Sequence, residues 1–149
     1  VPHMAVEGPT ISGDGIQVFS SAYPFLVALA ETDDSLVYSM VKVMLEHFDE
    51  YRGNAPGANG WAIDRQKFDQ AFTPYHPGAI RYFKEIDVWT EAAEKTNQAN
   101  LHRQQVLQDA WQSYLPNAPE GYQAFEEGWL QAREAALKTA GLITLGEGL

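Results

Sequence analysis

The sequence contains no cysteine, half as many basic as acidic residues, and no apolar stretch long enough to cross a bilayer. Without cysteine there are no disulfides and no thiolate metal ligands. Ten Lys and Arg against twenty Asp and Glu leave a formal charge of −10. That charge repels nucleic acids and anionic lipids, because binding to either requires clustered cations that release counterions. Neither is an expected partner. Val1-Pro2-His3-Met4 lacks the basic start and apolar core of a signal peptide, so the chain reads as beginning mid-protein, with any export signal upstream.

Catalytic patterns are equally scarce. His3, His47, His76 and His102 form no His-x-x-x-His or His-Glu-x-x-His pair, the spacings that put two zinc ligands on one helical face. Three residues before His47, His76 and His102 stand Met44, Thr73 and Ala99, where a di-iron bundle needs Glu. Gly8, Gly13 and Gly15 precede no Lys-Ser or Lys-Thr, and Ser20-Ser21 lacks the Gly-x-Ser-x-Gly frame of a hydrolase nucleophile. The expectation is a non-enzyme with no metal and no cofactor.

What is present suffices for one core: 149 residues, 45% of them hydrophobic. Breakers across 5–15 make a connector, and 16–30 reads as one or two short strands. The apolar run after Pro24 has the near-continuous pattern of a strand buried on both faces of a parallel sheet. Thr32-Asp33-Asp34-Ser35 supplies capping oxygens for a helix over about 33–51, with Leu36, Val37, Met40, Val41, Met44, Leu45 and Phe48 at three- and four-residue steps. Further helices are expected over about 64–72 and 77–86, the latter opened by Pro77. Thr90 begins a long helix to about Tyr114, its inward stripe drawn through Ala92, Ala93, Thr96, Ala99, Arg103, Val106, Leu107, Ala110 and Trp111. After Pro116-Asn117-Ala118-Pro119 a last helix over 122–140 turns Phe125, Trp129, Ala132, Ala136 and Leu137 inward, completing an antiparallel hairpin. The predicted fold class is mainly α with a small β component.

Three stretches carry a resemblance. Phe25-Leu26-Val27-Ala28 runs into Asp34-Ser35-Leu36-Val37-Tyr38-Ser39-Met40-Val41-Lys42; Gly60-Trp61-Ala62-Ile63-Asp64 follows. The third and most specific is His76-Pro77-Gly78-Ala79-Ile80-Arg81-Tyr82-Phe83-Lys84-Glu85. Together they resemble the C-terminal part of TAXI-family solute receptors of TRAP transporters, over about residues 1–89; 90–149 is an added helical hairpin. The resemblance implies a two-lobed α/β periplasmic-binding-protein-like fold in which a small carboxylate or amino-acid-like solute binds between lobes and is delivered to a TRAP membrane component. It further implies a periplasmic location, with the missing N-terminal lobe or another chain completing the sheet. The return between lobes would fall near 8–21, which makes Thr10, Ser20, Ser21 and Tyr23 the ligand-binding or hinge candidates. The signature residues His76, Pro77, Gly78, Ala79, Tyr82 and Glu85 read as structural, since Pro77 fixes a first helical turn and Gly78 permits close packing. The rival reading is an all-α interaction module that docks a protein partner through the hairpin.

Overall fold

The computed structural model of the chain describes residues 2–5, 15–19, 25–55 and 57–144. The chain divides into two compact units, 1–30 and 31–149. The hairpin expected as a separate extension from residue 90 is therefore part of the same unit as 31–89.

In the first unit, β1 (Pro2–Ala5) and β2 (Ile16–Phe19) pair antiparallel, with Pro2 opposite Phe19 and Ala5 opposite Ile16. Of the stretch 16–30, read as one or two short strands of a parallel sheet, residues 16–19 form a strand and its pairing is antiparallel. Residues 25–29 hold no strand, and Leu26, Val27 and Leu29 are exposed. A strand exists only as a member of a ladder, and the described sheet has two members. Residues 20–24 lie outside the described residues.

The second unit opens with α1 (Asp34–Glu46), whose N-terminal amides on Ser35 and Leu36 donate to the Asp33 carboxylate at 2.9 and 3.1 Å. The helix expected through to residue 51 is interrupted at His47, and α2 (Phe48–Tyr51) follows as a single turn. The Tyr51 hydroxyl donates to the Met44 carbonyl at 2.9 Å, satisfying an acceptor at the end of α1.

The helix expected over 64–72 does not form. Short 3-10 turns occupy Ala58–Trp61, Ile63–Arg65 and Phe68–Gln70 instead. Irregular backbone must find hydrogen-bond partners elsewhere, and here they come from side chains. Gln66 Nε2 donates to the carbonyls of Gly60 and Ala62. Thr96 Oγ1 donates to Asp69 O, Asn100 Nδ2 to Ala71 O and Thr73 O, and Asn97 Oδ1 accepts from Tyr75 N–H at 2.7 Å. These partners project from α4 (Glu91–Tyr114), which Thr90 caps through Ala93 N–H. The inward face of α4 follows the stripe drawn on apolar spacing through Ala93, Thr96, Arg103, Val106, Leu107, Ala110 and Trp111, and departs from it at Ala92, Asn97 and Ala99. Ala93 and Asn97 are buried, Asn97 at 3% exposure, while Ala92 and Ala99 face solvent.

The helix α3 (Pro77–Glu85) ends in a Schellman turn: Val88 N–H reaches Phe83 O, Asp87 N–H reaches Lys84 O, and Asp87 takes the left-handed conformation at φ 57°. The turn folds Val88 and Trp89 back onto a core of Phe68, Ala79, Phe83 and Ala93, joined by Val37, Val41, Leu45, Ile63 and Tyr75. The Phe68 ring lies 4.7 Å from Phe83, and Tyr75 meets Trp89 edge-on at 5.4 Å, arrangements that stabilise aromatic cores beyond area alone. The indole of Trp89 donates to Glu94 at 2.8 Å, and Lys84 pairs with the same carboxylate at 3.2 Å. Hydrogen bonds from Gln98, then Trp89, then Lys84 pull the Glu94 pKa down to about 2.

Finally, α5 (Tyr122–Thr139) packs antiparallel on α4. Trp111 meets Trp129 at 4.8 Å, the Tyr114 hydroxyl donates to Phe125 O at 2.6 Å, and Leu137 is fully buried. Gly141 at φ 68° ends α5 with a second Schellman turn, Leu142 N–H to Leu137 O.

Two outcomes follow. Asn97→Ala strands the Tyr75 amide and should lower the unfolding free energy by about 1–3 kcal/mol in urea titrations; a loss within about 0.3 kcal/mol would show that the amide finds another partner. Glu94 has a folded pKa below its ordinary 4.5, so its contribution is complete above pH 4.5 and is lost as pH falls toward 2. The stability gap between the native chain and Glu94→Gln should shrink across that window, and a gap unchanged with pH would contradict the assignment.

Candidate functional site

The most specific sequence motif, His76 to Glu85, builds the junction between α3 and α1. His76 is the N-cap of α3, its Nδ1 accepting the Gly78 amide at 3.2 Å. That bond leaves the ring proton on Nε2, which is buried and has no partner among the described residues. Asp34 Oδ1 lies 3.7 Å from Nδ1. Pro77 occupies the first turn, where its missing N–H costs nothing.

Gly78 is the point of closest approach. A Cβ there would overlap the Asp34 carbonyl and stand 3.0 Å from Tyr38 N, so only glycine lets the first turn of α3 lie on the backbone of α1. Ala79 and Tyr82 are buried on the same face. Tyr82 meets Tyr38 edge-on at 5.7 Å, and burial pushes its phenol pKa up.

Beside this packed face is a polar cluster of which sequence reasoning gave a role to Glu85 alone, as a structural residue of the motif. Tyr38 donates to Glu85 Oε2 at 2.5 Å, Lys42 Nζ reaches Glu85 Oε1 at 3.4 Å, and the Arg81 guanidinium lies 3.7 Å from the Tyr38 ring centre. The Tyr38 hydrogen bond, working against burial and aided by Lys42, holds the Glu85 carboxyl below the ordinary range. Lys42 Nζ also donates to the Tyr38 hydroxyl at 3.5 Å, and this bond first, with the one to Glu85 next, raises the Lys42 pKa. The signal that could have revealed the cluster is spacing: Tyr38 and Lys42 on one helix, Arg81 and Glu85 on the other, each four apart and so on one face.

A cleft of about 250 Å³ beside the cluster is lined by Leu45, Glu46, Phe48, Ile63, Tyr82 and Ile86. A larger groove of about 460 Å³ on the hairpin is lined by Ala110, Ser113, Tyr114, Asn117, Ala132 and Ala136. Neither lining pairs a nucleophile with a base. Among the described residues no group of three or more His, Asp or Glu could hold a metal ion, and no helix is long and apolar enough to cross a membrane. The expected hinge or ligand residues Thr10, Ser20, Ser21 and Tyr23 lie outside the described residues.

Gly78→Val drives a branched side chain into backbone that cannot yield, and should cost about 1–3 kcal/mol or more. Chemical denaturation measures it; an unchanged midpoint would mean that α3 and α1 are less closely apposed than described.

Residues 16–86 match the model of the NMT1-like family, a family related to periplasmic solute-binding proteins; the match spans β2, α1 and α3 and ends one residue past Glu85, before α4. Comparison with curated proteins and with solved structures gives no match. The stretch from β2 through the His76–Glu85 motif is therefore similar to the NMT1-like family of solute-binding relatives.

Proposed function

We propose that this chain is the C-terminal part of an extracytoplasmic solute receptor of the TAXI type, which binds a small carboxylate or amino-acid-like solute and hands it to a TRAP membrane component. The observation that carries the reading is the match of 16–86 to a family related to solute-binding proteins, together with the His76–Glu85 motif inside it. Such a receptor works by binding and lobe closure, a population shift driven by contacts made only in the closed form, and performs no bond-making chemistry. The polar groups of the α1–α3 junction support this division of labour. Tyr38, Lys42 and Glu85 are engaged with one another, and Gly78 is consumed by helix contact. Solute recognition then falls chiefly to residues of the partnering lobe.

Two measurements test the reading. Calorimetry of the 149-residue chain with glutamate or succinate should give binding no tighter than about 1 mM, roughly −4 kcal/mol; micromolar binding would contradict an external pocket. Fractionation of cells expressing the natural gene should recover the protein in the extracytoplasmic fraction, and recovery only in the cytosol would refute the receptor assignment.

A second reading, a module that docks a protein through α4 and α5, draws on the open groove of about 460 Å³ between those helices. Under that reading Ala132→Glu abolishes partner capture and leaves localisation unchanged.

A further inference from the structure

Gly78 at the start of α3 lies on Asp34 and Tyr38 at the start of α1. Farther along, Glu85 reaches Lys42, and Ile86 lines one cleft with Leu45 and Glu46. The contacts advance in the same direction on both helices, so α1 and α3 run parallel and end at the same place. A helix concentrates partial negative charge on its last carbonyls, and parallel packing brings the two negative ends together. The last turn of α1 has no basic residue, and Lys84, the basic residue in the last turn of α3, pairs with Glu94 instead.

The cleft of about 250 Å³ opens at this shared end. Leu45, Ile63 and Ile86 give it aliphatic walls, and Phe48 and Tyr82 give it aromatic ones. Glu46 is the one charged residue of the described lining, and its side chain is half-exposed. Aromatic faces attract cations through the ring quadrupole, and a carboxylate accepts charge-assisted hydrogen bonds from an ammonium. One ammonium already rests beside the cleft. Lys42 Nζ stands 3.7 Å from Glu46 Oε1 and 5.8 Å from the centre of the Tyr82 ring. Its nearer carboxylate is Glu85, at 3.4 Å, and a carboxylate offers about four acceptor sites, so Glu46 keeps capacity for a second cation.

We propose that this cleft binds a small aromatic amine in its ammonium form, with the ring against Phe48, Tyr82 and the aliphatic walls and the nitrogen at Glu46. Three observations select that class. The apolar lining takes a ring and gives a bare metal ion no ligand set, and among the described residues no group of three or more acidic or His side chains could hold one. The volume lies below the roughly 300–1,000 Å³ of sites for drug-sized ligands, which suits one ring with a short tail. Two helix ends and a carboxylate of the same sign, in a chain of formal charge −10, draw a cation and disfavour an anion. The site lies within this chain and is independent of the carboxylate pocket that the receptor reading assigns to the partnering lobe.

The test is a titration of the isotope-labelled protein at neutral pH, followed by amide NMR, with three probes that share a ring and a short tail: phenethylamine, 2-phenylethanol and 3-phenylpropionate. Phenethylamine should shift the amides of Leu45, Glu46, Ile63 and Ile86 saturably and bind about tenfold more tightly than the alcohol. The propionate should give no saturable shift at these amides. Glu46→Gln, at a half-exposed position that the fold tolerates, should erase most of the amine's advantage and leave the alcohol's affinity unchanged. The proposal is overturned by any of four results: no saturable shift with the amine, shifts confined to other parts of the chain, equal affinity for amine and alcohol, or an amine preference that survives Glu46→Gln.

Discussion

The core built from α1, α3 and the start of α4 depends on how closely α3 lies on α1 at Gly78. With no Cβ between them, the first turn of α3 rests on the Asp34 carbonyl and the Tyr38 amide. That contact sets which residues the rest of α3 can bury. Ala79 and Phe83 turn into the core with Phe68 and Ala93, and Tyr82 seats against Tyr38. The Schellman turn at Asp87 then returns Val88 and Trp89 to the same cluster and delivers the chain to the start of α4. A bulkier residue at one position would move all of these together, because close-packed interiors do not absorb even small displacements cheaply.

The second constraint is polar. Between α2 and α3 the chain crosses the core without regular structure, and its carbonyls and amides are satisfied by Gln66, Thr96, Asn97 and Asn100. The first turns of α4 therefore act as a hydrogen-bonding template more than as an apolar wall. This joins the hairpin to the preceding segment in one unit, although the motif resemblance stops before α4. Farther along, α4 becomes an ordinary helix partner, with Trp111, Tyr114, Phe125 and Trp129 packed as a second aromatic group.

Legibility in the sequence followed the range of the forces involved. Asp33, Thr90, Pro77 and Gly141 announced helix ends correctly because capping chemistry is local. Two segments misled for the opposite reason. Residues 64–72 carry helix-like spacing, but side chains about thirty positions distant hold them in 3-10 turns, and residues 25–29 carry strand-like spacing that only a neighbouring strand can realise. The inward face of α4 was misjudged at Asn97 because a buried amide side chain is invisible to a search for apolar period. Of the site, the His76–Glu85 motif was legible, while the roles of Tyr38, Lys42 and Arg81 emerged only when α1 and α3 were seen side by side.

The α1–α3 junction is closely knit: Tyr38, Lys42 and Glu85 are engaged with one another, and the contact at Gly78 is backbone on side-chain-free backbone. The most direct measurement of this claim is native-state hydrogen exchange at the amides of Val41, Phe83 and Ala93. If α3, α1 and the start of α4 share one core, these amides open with a single common free energy and in one cooperative step. Exchange of Val41 at a distinctly lower free energy than Phe83 and Ala93 would show that α1 opens independently, and the account of a single clasp at Gly78 would be wrong.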